Sequence, residues 1–310
     1  MRRVCKEVTA QRVVTVKFRG VCLVSLSLLF AGKYLYAQDL LTLPGPSGID
    51  LKAWHYKPAD PANQPKPVVI ALHGCGGLYA TSGQRKGQLN ARHHAMGEML
   101  QAQGYHAIFP DSFGSRGIES ICSEVQRLKN GIRVGMNERR ADTLAALAWI
   151  RTQPWADAQR NNMALLGWSN GGQTVLAVTD AHHSLVKASG APVKTAIAFY
   201  PGCVEAGRTG YRPNAPLTLL LGADDDWTLP EPCIQLGQKL KALGDDVTVK
   251  VYPGAVHDFD TPLPGIRTRV DIPSRSPARA GLGVQAGQNP AAREDSWALV
   301  REILRTAFER

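Results

Sequence analysis

Residues 163–172 read MALLGWSNGG, an apolar run that ends in a glycine-rich turn around Ser169. A short apolar run bounded by glycine is typical of a strand buried on both faces of a sheet, and the residues after the turn are predicted to be helical. The pattern GxSxG at such a strand-to-helix junction lifts the serine above the sheet and directs the N-terminus of the helix at the same point. A glycine-rich turn whose serine only caps the helix is the structural alternative.

Five further apolar runs lie along the chain, and glycine or proline follows each of them closely. They are residues 68–72, 105–109, 195–199, 217–221 and 247–252. Amphipathic segments alternate with these runs, for example residues 138–151 and 234–243. This alternation predicts an α/β fold with a mostly parallel sheet and helices on both faces.

Three other segments complete the predicted architecture. Residues 40–56 are expected to add an antiparallel hairpin at one edge of the sheet. Residues 263–290 are rich in proline, glycine and arginine and predict a long surface loop. Residues 291–309 predict a closing helix.

Composition excludes several classes of protein. The 310 residues are 44% hydrophobic and 20% charged, which argues against a disordered, collagen-like or coiled-coil chain. The formal net charge is +10, but residues 1–37 hold seven Lys or Arg and one Glu. The rest of the chain has 29 basic and 25 acidic residues, so its net charge is only +4 and no nucleic-acid partner is expected.

The N-terminus has the features of an export signal. Residues 2–19 are basic, and residues 20–31 form an apolar run that is too short for an ordinary membrane-spanning helix. Ala37 offers an acceptable cleavage site, although an uncleaved anchor is the alternative. We therefore predict a signal peptide at residues 1–37 and one domain at residues 38–310. The mature protein is expected to be a periplasmic or secreted monomer without stable membrane insertion.

Cysteine usage agrees with an oxidising compartment. After removal of the signal, four cysteines remain, namely Cys75, Cys122, Cys203 and Cys233. An even number favours disulfides, with three possible full pairings, while four reduced thiols are the alternative. We favour Cys75–Cys122 and Cys203–Cys233, because each pair would join loops at one edge of the sheet. No pair has the CxxC spacing of a zinc site, and we expect no metal.

An acid and a histidine follow Ser169 in the order that nucleophilic serine chemistry needs in this architecture. Asp225 comes after the run at 217–221, and His257 comes after the run at 247–252. Three aspartates are adjacent at 224–226. Asp225 is favoured because it lies three residues after Gly222, and Asp226 is the second choice. A solvated acidic turn and a surface histidine are the structural alternatives.

Two loops could supply hydrogen-bond donors to an oxyanion. The loop HGCGG at residues 73–77 follows the first buried run, and its glycines allow close approach of the backbone. The backbone N–H groups of Cys75 and Asn170 are the candidate donors. Arg116 is a weaker candidate for binding a substrate carboxylate, although an ion pair is its more frequent role. Trp168 and Trp227 are candidates for lining the pocket, although they could be packing residues.

Several segments resemble the dienelactone hydrolase family of α/β-hydrolases. They are ALHGCGG (71–77), GYHAIFPDSFGSRG (104–117), GWSNGG (167–172), YPGC (200–203), LGADDDWT (221–228) and YPGAVHDFD (252–260), and they extend over about 190 residues. The resemblance implies an α/β-hydrolase fold with an eight-stranded sheet, no cofactor, and a triad of Ser169, Asp225 and His257.

Two departures from the family bear on the substrate. Members that cleave dienelactone use a cysteine nucleophile where this chain has Ser169, and they carry a glutamate in the first loop, where this chain has HGCGG. The sequence therefore predicts a serine hydrolase that acts on small carboxylic esters or lactones. Two alternatives remain: a catalytically inactive binding protein on a hydrolase fold, or a serine peptidase or acyltransferase with the same triad.

Overall fold

The structure is a computed structural model, and it describes residues 38–59, 64–130, 133–157, 161–190 and 193–309. The described residues all belong to one compact unit. The signal peptide predicted at residues 1–37 lies outside the described residues. Within the described part of the chain, no helix is both long enough and apolar enough to cross a membrane.

The described residues form an eight-stranded sheet in the order β1-β2-β4-β3-β5-β6-β7-β8. The strands are β1 (Gln38–Pro44), β2 (Asp50–Tyr56), β3 (Val68–Leu72), β4 (His106–Pro110), β5 (Met163–Trp168), β6 (Thr195–Phe199), β7 (Leu217–Gly222) and β8 (Val247–Tyr252). Strands β3 to β8 are parallel, whereas β2 pairs antiparallel with both β1 and β4. The predicted fold and the predicted edge hairpin are both confirmed.

Helices cover both faces of the sheet. They are α1 (Ala91–Ala102), α2 (Glu124–Asn130), α3 (Met136–Ile150), α4 (Asn170–Val178), α5 (Ser184–Ser189), α6 (Val204–Thr209), α7 (Glu231–Ala242) and α8 (Pro290–Glu309). Every residue of β3 is buried, and its side chains alternate between two cores, with Val68 in one and Val69 in the other. The first core includes residues of α3, α4 and α7, and the second includes residues of α1 and α8.

The topology determines where loops can form a site. From β3 the chain first adds β4 on one side and then returns to add β5 on the other side of β3. The loops after β3 and β5 therefore diverge at a switch in strand order, which is where open α/β sheets leave a crevice beyond the carboxyl ends of their strands. These two loops carry Cys75 and Ser169.

The segment at 263–290 is more ordered than the prediction of a long surface loop. It contains two short strands, β9 (Ile266–Arg269) and β10 (Val284–Gly287), which pair antiparallel. We call them the ribbon. The backbone N–H of Gly287 donates to the carbonyl oxygen of His257 at 2.8 Å, so the ribbon packs directly beside that histidine. The helix predicted at 291–309 is confirmed as α8.

Two disulfides lie at the carboxyl edge of the sheet, and both are the pairs favoured from sequence. The second, Cys203–Cys233, does not join two loops as expected, because Cys233 lies in the first turn of α7. Cys75 is bonded to Cys122 with their Cα atoms 4.9 Å apart, and Cys203 is bonded to Cys233 with their Cα atoms 5.0 Å apart. The first disulfide ties the loop after β3 to the segment before α2. Such cross-links reduce the conformational entropy of the unfolded chain.

Candidate active site

Ser169 lies at the sharp turn between β5 and α4. Its backbone angles are φ 52° and ψ −115°, a conformation that L-residues rarely adopt. Two hydrogen bonds hold this turn: the N–H of Ser169 donates to the carbonyl of Phe199, and the N–H of Gln173 donates to the carbonyl of Ser169, both at 2.9 Å. The strained turn is therefore fixed by its neighbours, as is common at functional sites.

The glycines of the GxSxG pattern are required by close backbone contacts. A Cβ atom on Gly167 would lie 2.3 Å from the carbonyl oxygen of Gly171. A Cβ atom on Gly171 would lie 1.9 Å from the carbonyl oxygen of Leu72. Helix α4 thus begins in contact with the ends of β5 and β3, and no larger residue fits there.

Replacing Gly171 with alanine is expected to lower the free energy of unfolding by about 3 kcal/mol or more, because two backbone segments must move apart. Urea unfolding measures this change. Gly207 in α6 is the matched control, since its Cβ would meet nothing within 4 Å. Gly207→Ala should leave stability unchanged or raise it by up to about 1 kcal/mol. Equal urea midpoints for wild type and Gly171→Ala would contradict the packing described here.

His257 is paired with one of the three adjacent aspartates. Its Nδ1 atom lies 2.7 Å from Oδ2 of Asp225, and both residues are buried. The other carboxylate oxygen of Asp225 accepts hydrogen bonds from the backbone N–H groups of Trp227 and Thr228, each at 2.9 Å. The carboxylate is therefore held in a fixed orientation toward the imidazole.

Asp226, the second choice for the acid, points elsewhere. Its Oδ2 atom accepts from Nε of Arg279 at 2.7 Å, and its Oδ1 atom accepts from the backbone N–H of Gln285 at 2.8 Å. Asp226 thus anchors the ribbon, while Asp224 is exposed. Of the three aspartates, Asp225 is the one that contacts His257.

The charge of Asp225 changes the acid–base behaviour of His257. Burial by itself lowers the pKa of the imidazole, but the negative charge and the hydrogen bond of Asp225, together with the charge of Asp258, outweigh this effect. The net result is a pKa of His257 above its usual 6.5. A histidine oriented by a carboxylate in this way is suited to accept a proton from a hydroxyl group.

Ser169, His257 and Cys75 line one cleft of about 150 Å³. Its other lining residues are Gly74, Gly76, Gly77, Asn90, Arg92, Cys122, Trp227, Asp258, Arg267 and Arg269. Trp227, a predicted pocket residue, is one of the residues that line this cleft. Its ring centroid is 4.7 Å from that of His257. The arrangement brings a hydroxyl, an imidazole and backbone amides to one opening.

One candidate oxyanion donor follows Ser169 directly in sequence, and the other lines the same cleft as Ser169. Asn170 is the first residue of α4, and the first N–H groups of a helix have no acceptor within the helix. Cys75 lies in the loop after β3, where its carbonyl accepts from the N–H of Ile121 at 2.9 Å. A Cβ atom on Gly74 would be only 3.6 Å from Cβ of Ser169, so this loop passes close to the serine.

Residues 51–308 match the sequence model of the dienelactone hydrolase family. The chain belongs to the dienelactone hydrolase family. The match includes β2 apart from Asp50, all the later strands and all the candidate site residues. The expected family is therefore confirmed.

Solved structures share the fold of this dienelactone hydrolase family member. A protein assigned to the dienelactone hydrolases in Klebsiella pneumoniae superposes with a TM-score of 0.64 and 19% identity, covering 87% of this chain and 98% of that one. The dienelactone hydrolase-like promiscuous phosphotriesterase P91 from metagenomic libraries superposes with a TM-score of 0.61 and 19% identity, covering 87% of this chain and 99% of that one. Thermogutta terrifontis esterase 2 phosphorylated by paraoxon superposes with a TM-score of 0.58 and 18% identity, covering 87% of this chain and 95% of that one.

Curated sequence relatives are much longer proteins. Non-reducing polyketide synthase ascC from Acremonium egyptiacum is 30% identical over 191 residues, which are 59% of this chain and 8% of that protein. Non-reducing polyketide synthase pkbA from Emericella nidulans is 25% identical over 177 residues, which are 54% of this chain and 6% of that protein. The chain thus spans less than a tenth of the length of these relatives.

Two of the predicted substrate-binding residues have structural roles in this family member. The guanidinium of Arg116 makes two hydrogen bonds to the buried carboxylate of Asp142, at 2.7 and 2.8 Å, and it does not line the cleft with Ser169. Trp168 is fully buried, and its indole N–H donates to Asp260 at 2.8 Å. We therefore withdraw both residues as candidates for substrate binding.

Tyr200, Arg92 and Arg267, which lie next to His257 or to its neighbour Asp258, were not predicted from the sequence. The ring centroid of Tyr200 lies 4.6 Å from that of His257, and its hydroxyl accepts from Arg92 at 2.8 Å. Arg92 also donates a hydrogen bond to Oδ1 of Asp258 at 2.7 Å, and Arg267 of the ribbon donates one to Oδ2 of the same carboxylate at 2.9 Å. One sequence signal was available, since the alternating pattern IRTR at 266–269 fits a strand with both arginines on one face.

Proposed function

We propose that this protein is a serine hydrolase that cleaves small carboxylic esters or lactones through an acyl-enzyme intermediate on Ser169. The observation that carries the proposal is the shared cleft of Ser169 and His257, together with the 2.7 Å contact between Nδ1 of His257 and Asp225. A serine hydroxyl is a weak nucleophile unless a positioned base accepts its proton, and here the base has its own orienting acid.

The mechanism follows from these positions. His257, held by Asp225, takes the proton of Ser169 as the serine oxygen attacks the ester carbonyl. The N–H groups of Cys75 and Asn170 stabilise the oxyanion of the tetrahedral intermediate. The intermediate collapses as His257 gives the proton to the leaving alcohol, and a water molecule activated by His257 then releases the acid.

Cleft size and the family relationship indicate the substrate class. A cleft of about 150 Å³ suits a short acyl group better than a long chain or a peptide. Arg267 and Arg269 of the ribbon line the cleft and are paired with Asp258 and Asp271. We also propose that the mature protein acts outside the cytoplasm, because two disulfides are stable in oxidising compartments.

Hydrolysis of a substrate panel tests the proposal. The panel contains p-nitrophenyl acetate and butyrate, a long-chain p-nitrophenyl ester, a five-membered lactone and a peptide amide. We expect hydrolysis of the short esters and the lactone, with a decline for the long chain. Activity on the peptide amide alone would favour the serine peptidase alternative. No turnover and no reaction of Ser169 with a fluorophosphonate would favour the inactive binding protein.

The raised pKa of His257 gives a pH dependence. Protonated imidazole cannot accept the serine proton, so kcat/KM for a short ester should fall as the pH drops, with a midpoint above 6.5. The contribution of His257 to the free energy of unfolding depends on pH in the opposite direction to the activity. It is fully present below pH 6.5 and is lost as the pH rises through the folded-state pKa. An acid limb centred well below 6.5 would contradict the proposed pairing.

A further inference from the structure

Arg139 of α3 is a buried cation that the mechanism above does not use. Its side chain is inside the protein, with 1% of the residue exposed. Its Nη2 atom donates to the carbonyl oxygen of His73 at 2.7 Å, and its Nη1 atom donates to the side-chain oxygen Oδ1 of Asn170. The guanidinium also lies over the ring of Phe113, 5.1 Å from the centroid.

These two hydrogen bonds reach the two loops that carry the candidate oxyanion donors. His73 precedes Cys75 by two residues in the loop after β3, and Asn170 is itself the second candidate donor. A guanidinium group is planar and rigid, so its donors have a fixed separation and direction. One side chain therefore links the loop after β3 to the first turn of α4.

Among the described residues, no carboxylate forms an ion pair with Arg139 alone. Asp142 and Asp111 act on it through space, but Asp142 is bound by Arg116 and Asp111 accepts from the backbone N–H of Gly114. The Nε atom has no hydrogen-bond partner among the described residues. Burial lowers the pKa of Arg139 to about 9, so the group is still charged at neutral pH. A buried charge with so little compensation costs stability.

We propose that Arg139 is a positioning residue of the oxyanion hole. Its two hydrogen bonds hold the loop after β3 against the start of α4, so that the N–H groups of Cys75 and Asn170 converge on one substrate oxygen. Its positive charge also stabilises the negative charge that develops on the substrate oxygen during the reaction. This inference rests on the proposed ester hydrolysis and assigns a role to a residue that touches no reacting atom.

Kinetics of two variants, Arg139→Met and Arg139→Lys, test the inference. Loss of one oxyanion donor lowers kcat by about 10²–10³-fold in enzymes of this chemistry, and we expect a decrease of that order for Arg139→Met. KM should change by less than about threefold, because the ground-state ester gains little from the oxyanion hole. Arg139→Lys retains the charge but not the fork, so its kcat should be intermediate.

Arg140 supplies a matched control in the same helix. It is also buried, but its Nε atom donates to the carbonyl of Ala177 at 2.8 Å, near the C-terminal end of α4 and away from the turn at Ser169. Arg140→Met should lower the free energy of unfolding without changing kcat by more than about threefold. Unfolding in urea is measured for all variants, so that a loss of folded protein is not read as a loss of catalysis.

Chemical rescue separates positioning from general stability. Adding guanidinium chloride at tens of millimolar to Arg139→Ala should restore part of the lost kcat, whereas equal sodium chloride should not. The inference is overturned if folded Arg139→Met and Arg140→Met have the same kcat, or if Arg139→Lys matches wild type. Inactive wild-type protein would instead overturn the proposed function, and with it this role for Arg139.

Discussion

Ser169→Ala is expected to lower kcat/KM for a short p-nitrophenyl ester by about 10⁴-fold or more, because Ser169 is the one described residue lining the cleft that carries a hydroxyl group. The fold should be retained, since alanine adds no atom at this crowded turn. Steady-state kinetics on purified protein with matched urea unfolding curves provide the measurement.

The control for this variant is Ser82→Ala. Ser82 is exposed in a loop outside the cleft, and its replacement should leave kcat/KM unchanged. Wild-type turnover by folded Ser169→Ala would mean that another residue, or water acting directly, carries the reaction. The acyl-enzyme mechanism would then be wrong.

Asp225→Asn is expected to lower kcat by about 10³–10⁴-fold with KM nearly unchanged. An amide in this position removes the negative charge that stabilises the imidazolium, and it can present a donor to Nδ1, which favours the wrong tautomer of His257. Kinetics at several pH values measure the effect. The acid limb should also move to lower pH, because Asp225 is the main group that raises the pKa of His257.

The neighbouring aspartates make a matched series of controls. Asp224→Asn should be silent, because that side chain is exposed. Asp226→Asn should mainly lower the free energy of unfolding, because Asp226 binds Arg279 and the ribbon. A loss of kcat in folded Asp226→Asn as large as that in Asp225→Asn would show that the acid has been assigned to the wrong residue.

The sequence predicted the sheet well because burial on both faces leaves a simple pattern. The runs that became β3, β5 and β6 are apolar apart from Thr195, and glycine or proline follows each of them within three residues, so their assignment as strands was not ambiguous. The turn spacing after Gly222 also singled out Asp225, the aspartate that meets His257. Both inferences depend on features that lie within a few residues of each other.

What the sequence did not reveal depends on contacts between distant residues. Arg116 follows a strand end, as substrate-binding residues do, but the carboxylate of Asp142 from α3 binds it, and nothing near Arg116 indicates that partner. The ribbon was hidden because its two strands have only four residues each and lie in a segment, residues 263–290, in which eight of the 28 residues are proline or glycine. The link from Arg139 to His73 and Asn170 likewise joins three separate segments.

The central claim is that Ser169 is an activated nucleophile. Thermogutta terrifontis esterase 2, which shares this fold, has been solved in a form phosphorylated by paraoxon, and the same reagent is suited to this protein. After incubation with paraoxon, mass spectrometry of the intact protein and its peptides should find one diethylphosphoryl group, on Ser169, together with loss of ester hydrolysis. An unmodified Ser169 in protein that still hydrolyses esters would contradict the account.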